Sequence, residues 1–187
     1  MRRHLGALAC AALLLSGCSS LEGTGDKGFV SGDGTVRTVK AADRGEPVAL
    51  TGEDLDGNPL DLDDYRGKPT VVAVWGAWCG PCRAEAPEVV AAAEALDGTA
   101  SFVGLNTRDP STAKPLAFER RFEVPYPSFF SPGGEEMLAF RGTIGPRSIP
   151  SFVVLDGEGR IAGSILGPLP SKQTLVDLVE DVEAVDG

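Results

Sequence analysis

Two cysteines separated by two residues, Cys79 and Cys82, are the side chains of this sequence best suited to chemistry. They follow the apolar run 70–75 and open a segment with helical spacing. At a helix N-terminus such thiols can close a disulfide with little backbone movement, and the free N–H groups and helix dipole favour the first thiolate. The pattern predicts a redox dithiol with Cys79 as nucleophile and Cys82 as resolving thiol. The alternatives are that the two cysteines form half of a metal site, or that they form a disulfide that only cross-links a loop.

The segments around this pair predict a β-α-β unit. The run 70–75 is apolar on both faces, as expected of a covered central strand, and 101–105 reads as a second strand parallel to it. Pro87 lies inside the helix between them and should kink it. The apolar stripe of that helix is formed by Val89, Val90, Ala93 and Leu96.

Turn signals at 56–59 and 156–159 predict two hairpins, the second between strands 151–155 and 160–163. A short strand is expected over 126–130. The remaining periodic segments predict helices over 109–122, 135–140 and 174–185.

The first residues have the pattern of a secretory signal. Arg2 and Arg3 precede the apolar run 5–15, which is too short to cross a bilayer, and small residues lead into Cys18. The run 15–18, Leu-Ser-Gly-Cys, resembles a bacterial lipobox. That resemblance implies cleavage before Cys18 and lipidation of this residue, which would hold the protein on a membrane. An ordinary cleaved signal, with Cys18 incidental, is the alternative.

Such processing would leave Cys79 and Cys82 as the free thiols of the mature chain. It would also remove His4, the one histidine, so no imidazole could serve as general base or metal ligand. We expect neither a metal nor a cofactor besides the Cys79–Cys82 disulfide. The net charge would change from −10 to −12 through loss of Arg2 and Arg3. A chain this acidic is not expected to bind nucleic acid or anionic lipid surfaces.

Composition divides the chain into three parts. Residues 1–17 form the predicted signal peptide of lipoprotein type, and residues 18–45, rich in polar residues and glycine, the predicted flexible tether. Residues 46–187 have the length of one domain with its own core. We expect this domain to be monomeric.

The run 74–83, Val-Trp-Gly-Ala-Trp-Cys-Gly-Pro-Cys-Arg, together with 148–152, Ser-Ile-Pro-Ser-Phe, resembles the thioredoxin fold over nearly the whole domain. The lipobox, the first hairpin, the insert at 109–125 and Glu85 narrow this to membrane-tethered TlpA/ResA-like proteins, of the ResA or CcsX type of cytochrome c maturation. The resemblance implies an α/β fold with a central mixed sheet, helices on both faces, an N-terminal β-hairpin and a helical insert. It also implies apocytochrome c as substrate and a membrane thiol donor such as a CcdA/DsbD-like protein.

The resemblance also carries over individual residues. Cys79 matches the exposed attacking thiol and Cys82 the buried one, while Gly80 and Pro81 match the dipeptide of reducing thioredoxins. The resemblance further implies substrate binding beside the dithiol by Trp78, by a cis Pro150 and by the backbone of Ile149. Trp75 is expected to pack in the core.

Glu85 is the candidate proton carrier. Thioredoxin has a buried aspartate six residues before its first cysteine, where this chain has Ala73. Glu85 is three residues after Cys82, so the two share a helix face. A partly buried carboxyl beside two thiols would have a raised pKa and could exchange a proton with them. A solvated helix residue is the alternative.

The charged residues of the insert, Asp109, Arg120, Arg121 and Glu123, are expected to be solvated rather than to contact a partner. Phe129 and Phe130 are expected in the core rather than in a substrate groove.

Three functions are consistent with the sequence. The first is a lipid-anchored reductase on the extracytoplasmic face of the bacterial cell membrane, acting on a protein disulfide, which the resemblance implies is that of apocytochrome c. The second is a thiol oxidase that donates its disulfide to secreted proteins, and the third is a non-catalytic binding lipoprotein. Gly80 and Pro81 resemble thioredoxin, near −270 mV, more than a strong oxidant near −120 mV.

Overall fold

A six-stranded mixed sheet organises the protein, whose computed structural model describes residues 36–186. Its strands, in chain order, are β1 (Val36–Thr38), β4 (Thr70–Trp75), β5 (Ser101–Thr107), β6 (Ser128–Ser131), β7 (Ser151–Leu155) and β8 (Ile161–Leu166). A separate hairpin is formed by β2 (Thr51–Glu53) and β3 (Pro59–Asp61). Across the sheet the order is β1-β8-β7-β4-β5-β6. Strands β4, β5 and β6 run parallel, while the pairs β4/β7, β7/β8 and β1/β8 are antiparallel.

Three α-helices accompany the sheet: α1 (Gly80–Ala95), α2 (Ala113–Phe122) and α3 (Lys172–Asp186). Shorter 3-10 segments occupy Ala41–Asp43, Leu62–Tyr65 and Glu135–Phe140. Within residues 36–186, no helix is both long enough and apolar enough to span a membrane.

Apolar core lies on both faces of the sheet, and every residue of the central strand β4 is therefore buried. Val71 and Ala73 point to the face covered by α1 and α3. Val72 and Val74 point to the opposite face, where the two later 3-10 segments supply Leu62, Met137 and Phe140. Alternate side chains of one strand thus enter two apolar layers, which confirms the predicted fold class.

Most predicted elements are confirmed with shifted ends. The β-α-β unit is present, with β4 parallel to β5 and α1 between them. Helix α1 continues through Pro87, and its buried stripe includes Cys82, Glu85 and Ala92, whereas Val90 is only partly buried. The helix predicted from residue 109 begins at Ala113 instead, and its first cap position, Thr112, makes no side-chain capping bond.

The predicted boundary between tether and domain, at residue 46, is ten residues too late. Val36–Thr38 forms an edge strand paired with β8, with Val36 buried opposite Ile165. A three-residue strand surrounded by polar residues has too little alternation to be recognised from the sequence. The predicted signal peptide 1–17, Cys18 and the rest of the tether up to residue 35 lie outside the described residues.

Asp156, at the turn between β7 and β8, joins this N-terminal segment to the sheet. Its carboxylate pairs with Arg44 at 3.0 Å and with Arg160 at 2.7 Å, and its side chain is fully buried. Burial alone would raise the pKa of Asp156, but hydrogen bonds from Arg160 and Arg44 and the charge of Arg160 outweigh burial and lower it. A lowered pKa means that the folded state favours the ionised carboxylate.

We expect Asp156→Ala to cost about 3–5 kcal/mol of the free energy of unfolding at pH 7, because it leaves the buried Arg44 without this carboxylate. The contribution of Asp156 is present above its unfolded pKa and is lost as the pH falls through its folded pKa, so the difference between wild type and variant should shrink in acid. Urea unfolding at several pH values measures both effects. Glu158, exposed and paired with Arg160 at 3.2 Å, is the control, and its alanine variant should cost less than about 1 kcal/mol. Equal losses for the two variants would contradict this account.

Candidate active site

Cys79 and Cys82 form a disulfide at the start of α1, with an S–S distance of 2.07 Å and Cα atoms 5.3 Å apart. Cys79 is the N-cap residue, and its sulfur accepts a hydrogen bond from the Cys82 N–H at 3.1 Å. Pro81 fits the first turn because the N–H it lacks would have no partner within the helix. Within the described part of the chain, no three His, Cys, Asp or Glu residues are grouped as metal ligands would be.

The exposure predicted for Cys79 is wrong for this disulfide state. Both half-cystines are 3% exposed and share an apolar cluster with Leu55 and Trp75. What distinguishes the two residues is position, since Cys79 caps the helix whereas Cys82 lies one turn inside it.

Trp78 is the exposed aromatic residue beside the disulfide, with 45% of its surface accessible. Its indole Nε1 donates to the Thr107 carbonyl at the end of β5, at 3.0 Å. Gly76 makes this position possible, because a Cβ there would lie 2.4 Å from the indole nitrogen. The loop between β4 and α1 is thereby held to the neighbouring strand.

The Ile149–Pro150 peptide bond is cis, as the resemblance predicts. Ile149 is partly buried against the cluster that contains Cys79 and Cys82, so this loop lies next to the disulfide. The Ile149 N–H donates to the Arg147 carbonyl at 3.0 Å. The Ser151 hydroxyl donates to the Ser148 carbonyl at 2.7 Å, which ties the loop to the start of β7.

Glu85 and Cys82 line the same small, partly open cavity, whose other walls are mainly apolar side chains of β4, α1 and the segment from α2 to β6. The Glu85 carboxylate accepts the Leu169 N–H at 2.8 Å. Burial raises the pKa of Glu85 to about 7, and the Leu169 hydrogen bond only partly opposes this. Cys82 and Glu85 therefore share one face of α1, as expected, and Glu85 is not a solvated residue.

Trp75 is buried as predicted and stacks on Phe118 of α2, with ring centroids 4.3 Å apart. Its indole Nε1 donates to the Ser128 hydroxyl at 3.3 Å, and that hydroxyl donates to Glu119 at 2.7 Å. Burial raises the pKa of Glu119 against the effect of the Ser128 hydrogen bond. A Cβ at Gly104 would lie 2.0 Å from the Ser128 oxygen, so glycine leaves room for this contact.

The expectation that Asp109 is solvated is wrong. Asp109 is 1% exposed, and its Oδ2 accepts the Ala77 N–H at 2.7 Å and the Asn106 amide at 2.9 Å. It therefore holds the loop that leads to Cys79. Its place directly after β5, beside the end of the parallel strand β4, was the available signal. The other three charged residues of the insert, Arg120, Arg121 and Glu123, are exposed as expected. Phe129 is buried in the core, whereas Phe130 is partly buried against the disulfide cluster.

Several proteins similar to this chain are named for thiol–disulfide exchange. The Redoxin family matches residues 38–182. The chain is 33% identical over 134 residues to the thiol:disulfide interchange protein HelX of Rhodobacter capsulatus, covering 66% of this chain and 72% of HelX. It is 24% identical over 120 residues to the thiol-disulfide oxidoreductase ResA of Bacillus thuringiensis, covering 64% and 67% of the two chains.

A solved structure extends the likeness to nearly the whole described domain. A secreted thiol-disulfide isomerase from Corynebacterium glutamicum has a TM-score of 0.75 and 26% identity, covering 86% of this chain and 98% of that one. The disulfide at the start of α1, the cis-proline loop beside it and these likenesses agree. The chain therefore belongs to the Redoxin family and is a thiol–disulfide oxidoreductase with a thioredoxin-like fold.

Proposed function

We propose that this chain is a lipid-anchored extracytoplasmic reductase that reduces the disulfide of apocytochrome c. The observation that carries the chemistry is the position of the disulfide, with Cys79 capping α1 and Cys82 facing the cavity that holds Glu85. The resemblance of the motifs around Cys79 and Pro150 to TlpA/ResA-like proteins supports the substrate.

In the reduced protein the Cys79 thiolate, favoured by the N-terminus of α1, attacks one sulfur of the substrate disulfide. A mixed disulfide forms, and the other substrate sulfur leaves as a thiolate that takes up a proton. Cys82 transfers its proton to ionised Glu85, and its thiolate attacks the Cys79 sulfur. The second substrate thiolate leaves and takes up the proton that Glu85 releases, so that Glu85 is ionised again and the Cys79–Cys82 disulfide forms. Two electrons and two protons have passed to the substrate, and the disulfide-bonded structure is the product state.

Substrate contact is assigned to the surface around Cys79. Trp78 and Gly80 are exposed on either side of it, and Ile149 and Pro150 form the adjoining loop. Because the Ile149 N–H already donates to Arg147, a substrate strand would bind this residue through its carbonyl oxygen or displace that internal bond. A membrane thiol donor such as a CcdA/DsbD-like protein would return the electrons, and the enzyme would act as a monomer.

Deleting the gene should lower the amount of covalently bound c-type heme, and an added small thiol should restore it, because the missing step is reduction of the heme-binding cysteines. Heme staining of membrane proteins measures the effect. A gene copy carrying both Cys79→Ser and Cys82→Ser is the matched control and should not restore the heme. Normal c-type heme together with misfolded secreted disulfide proteins would instead favour the oxidase function, which uses the same residues in the opposite direction.

Anchoring rests on Cys18 and the lipobox. We expect Cys18→Ala to leave disulfide exchange unchanged and to release the protein from membranes, because acyl chains supply the attachment. Fractionation in high salt measures this, with Cys10→Ala as the control that should stay on the membrane. A Cys18→Ala protein that remained on washed membranes would exclude the lipid as the anchor.

A further inference from the structure

Three exposed arginines come from three separate segments that meet around Cys79. Arg83 lies on the first turn of α1, Arg108 follows β5, and Arg147 precedes the Ile149–Pro150 bond. We call Arg83, Arg108 and Arg147 the arginine rim. Its position around the disulfide is unexpected in a chain with a net charge of −10.

Two of the guanidinium groups are held in place by backbone carbonyls. Arg83 donates to the Ala77 carbonyl at 2.8 Å, which places its charge over the loop before Cys79. Arg108, whose backbone φ is 60°, donates to the Pro146 carbonyl and so lies beside Arg147. Each of these bonds uses one nitrogen of a guanidinium that carries five N–H donors, and both side chains are exposed.

The rim has no ionic partner within the protein as described. Among residues 36–186, no carboxylate lies within 4.0 Å of Arg83, Arg108 or Arg147. Two acidic groups close to Arg108 in sequence or beside Ser131, whose carbonyl accepts the Arg108 backbone N–H, form other hydrogen bonds. Asp109 is buried and accepts from Ala77 and Asn106, and Glu136 accepts from the Ser131 hydroxyl.

We propose that the arginine rim selects substrates whose disulfide is flanked by carboxylate side chains, that is, acidic protein segments. This inference rests on the proposed function, in which Cys79 attacks a substrate disulfide. Guanidinium groups bind carboxylates in a bidentate manner, and charges at the edge of an interface raise the association rate and suppress partners of like charge. Trp78 and Ile149 supply the apolar contact between these charges.

Three disulfide-bridged peptides of equal length, differing only in whether aspartate, serine or lysine flanks the cysteines, test this with the reduced full chain. We expect kcat/KM for the aspartate peptide to exceed that for the lysine peptide by about 10- to 100-fold at low salt, falling to a few-fold at about 0.5 M salt. Substituting Arg83, Arg108 and Arg147 together by glutamine should bring the ratio to within about twofold. Arg37→Gln, an exposed arginine on the edge strand β1, is the control and should keep the full ratio.

The ratio of kcat/KM for the aspartate peptide to that for the lysine peptide distinguishes substrate recognition from an effect of the arginines on the Cys79 thiolate. Such an effect would change the rates for all three peptides by the same factor. Equal kcat/KM for the aspartate and lysine peptides in the wild type would overturn the proposal, and this result needs no variant to fold. Failure to reduce even the serine peptide would count against the proposed function instead. In that case the intrinsic fluorescence of a Trp75→Phe variant, which leaves Trp78 as its one tryptophan, decides the matter during titration with peptides carrying serine in place of both cysteines, because the proposal requires tighter binding of the aspartate peptide.

Discussion

We expect Cys79→Ser to abolish disulfide exchange, whereas Cys82→Ser should retain the first step and accumulate a mixed disulfide with the substrate. The reason is position at the start of α1. Cys79 caps the helix, where free N–H groups and the dipole favour a thiolate, while Cys82 lies one turn inside and faces the cavity. Without Cys82 no intramolecular thiolate remains to displace the substrate from Cys79.

Non-reducing electrophoresis with a disulfide peptide of distinct mass measures both outcomes. Cys18→Ala is the control, since Cys18 is a third cysteine with no assigned part in exchange, and it should neither lose activity nor accumulate the adduct. Equal accumulation of mixed disulfide by Cys79→Ser and Cys82→Ser would contradict the assigned roles.

Glu85→Gln should slow exchange at pH 7 by about 10²- to 10⁴-fold where proton transfer limits the rate, and should flatten its pH dependence. With a pKa of about 7, Glu85 is divided between its two protonation states near neutral pH, which suits a group that both accepts and returns a proton. Glutamine keeps the size of the side chain and an oxygen that can accept the Leu169 N–H, but it cannot carry the proton.

Although Glu85→Gln should slow exchange, we expect it to increase the stability of the folded protein above neutral pH. A pKa raised from 4.5 to about 7 means that the folded state holds the proton more tightly than the unfolded state. Wild-type stability therefore decreases as the pH rises from about 4.5 to about 7, whereas the variant lacks this dependence. At pH 8 we expect Glu85→Gln to be the more stable protein, by up to about 3 kcal/mol.

Glu88→Gln is a matched control for both effects. Glu88 lies three residues further along α1 and accepts the Lys172 N–H at 3.0 Å, but it is exposed. The pH dependence of alkylation of each thiol, compared among the three proteins, measures the kinetic effect. Superimposable titrations for wild type and Glu85→Gln would assign the proton to bulk water.

The central part of the fold could be predicted from the sequence because its signals are local. The apolar run 70–75, the turn at 156–159 and the spacing of the last helix each determine one element, and all are present in the structure. Cys79, Cys82 and Glu85 were found through their spacing on one helix. The edge strand Val36–Thr38 was missed because its pairing with β8 is non-local.

Other features of the site depend on contacts between distant segments. The buried state of Asp109 requires the end of β5 to lie beside Ala77, and the Trp75–Ser128–Glu119 hydrogen bonds require β4, β6 and α2 together. The exposure predicted for Cys79 was wrong because apolar residues from distant segments, Leu55 and Trp75, converge on it.

The reduction potential of the Cys79–Cys82 pair tests the reductase assignment most directly. Equilibration against glutathione or thioredoxin, with the two forms separated by alkylation, gives this value. The Gly80-Pro81 dipeptide predicts a potential near that of thioredoxin, about −270 mV. A value near −120 mV, about 7 kcal/mol away for two electrons, would make the protein a disulfide donor and would contradict the reductase account.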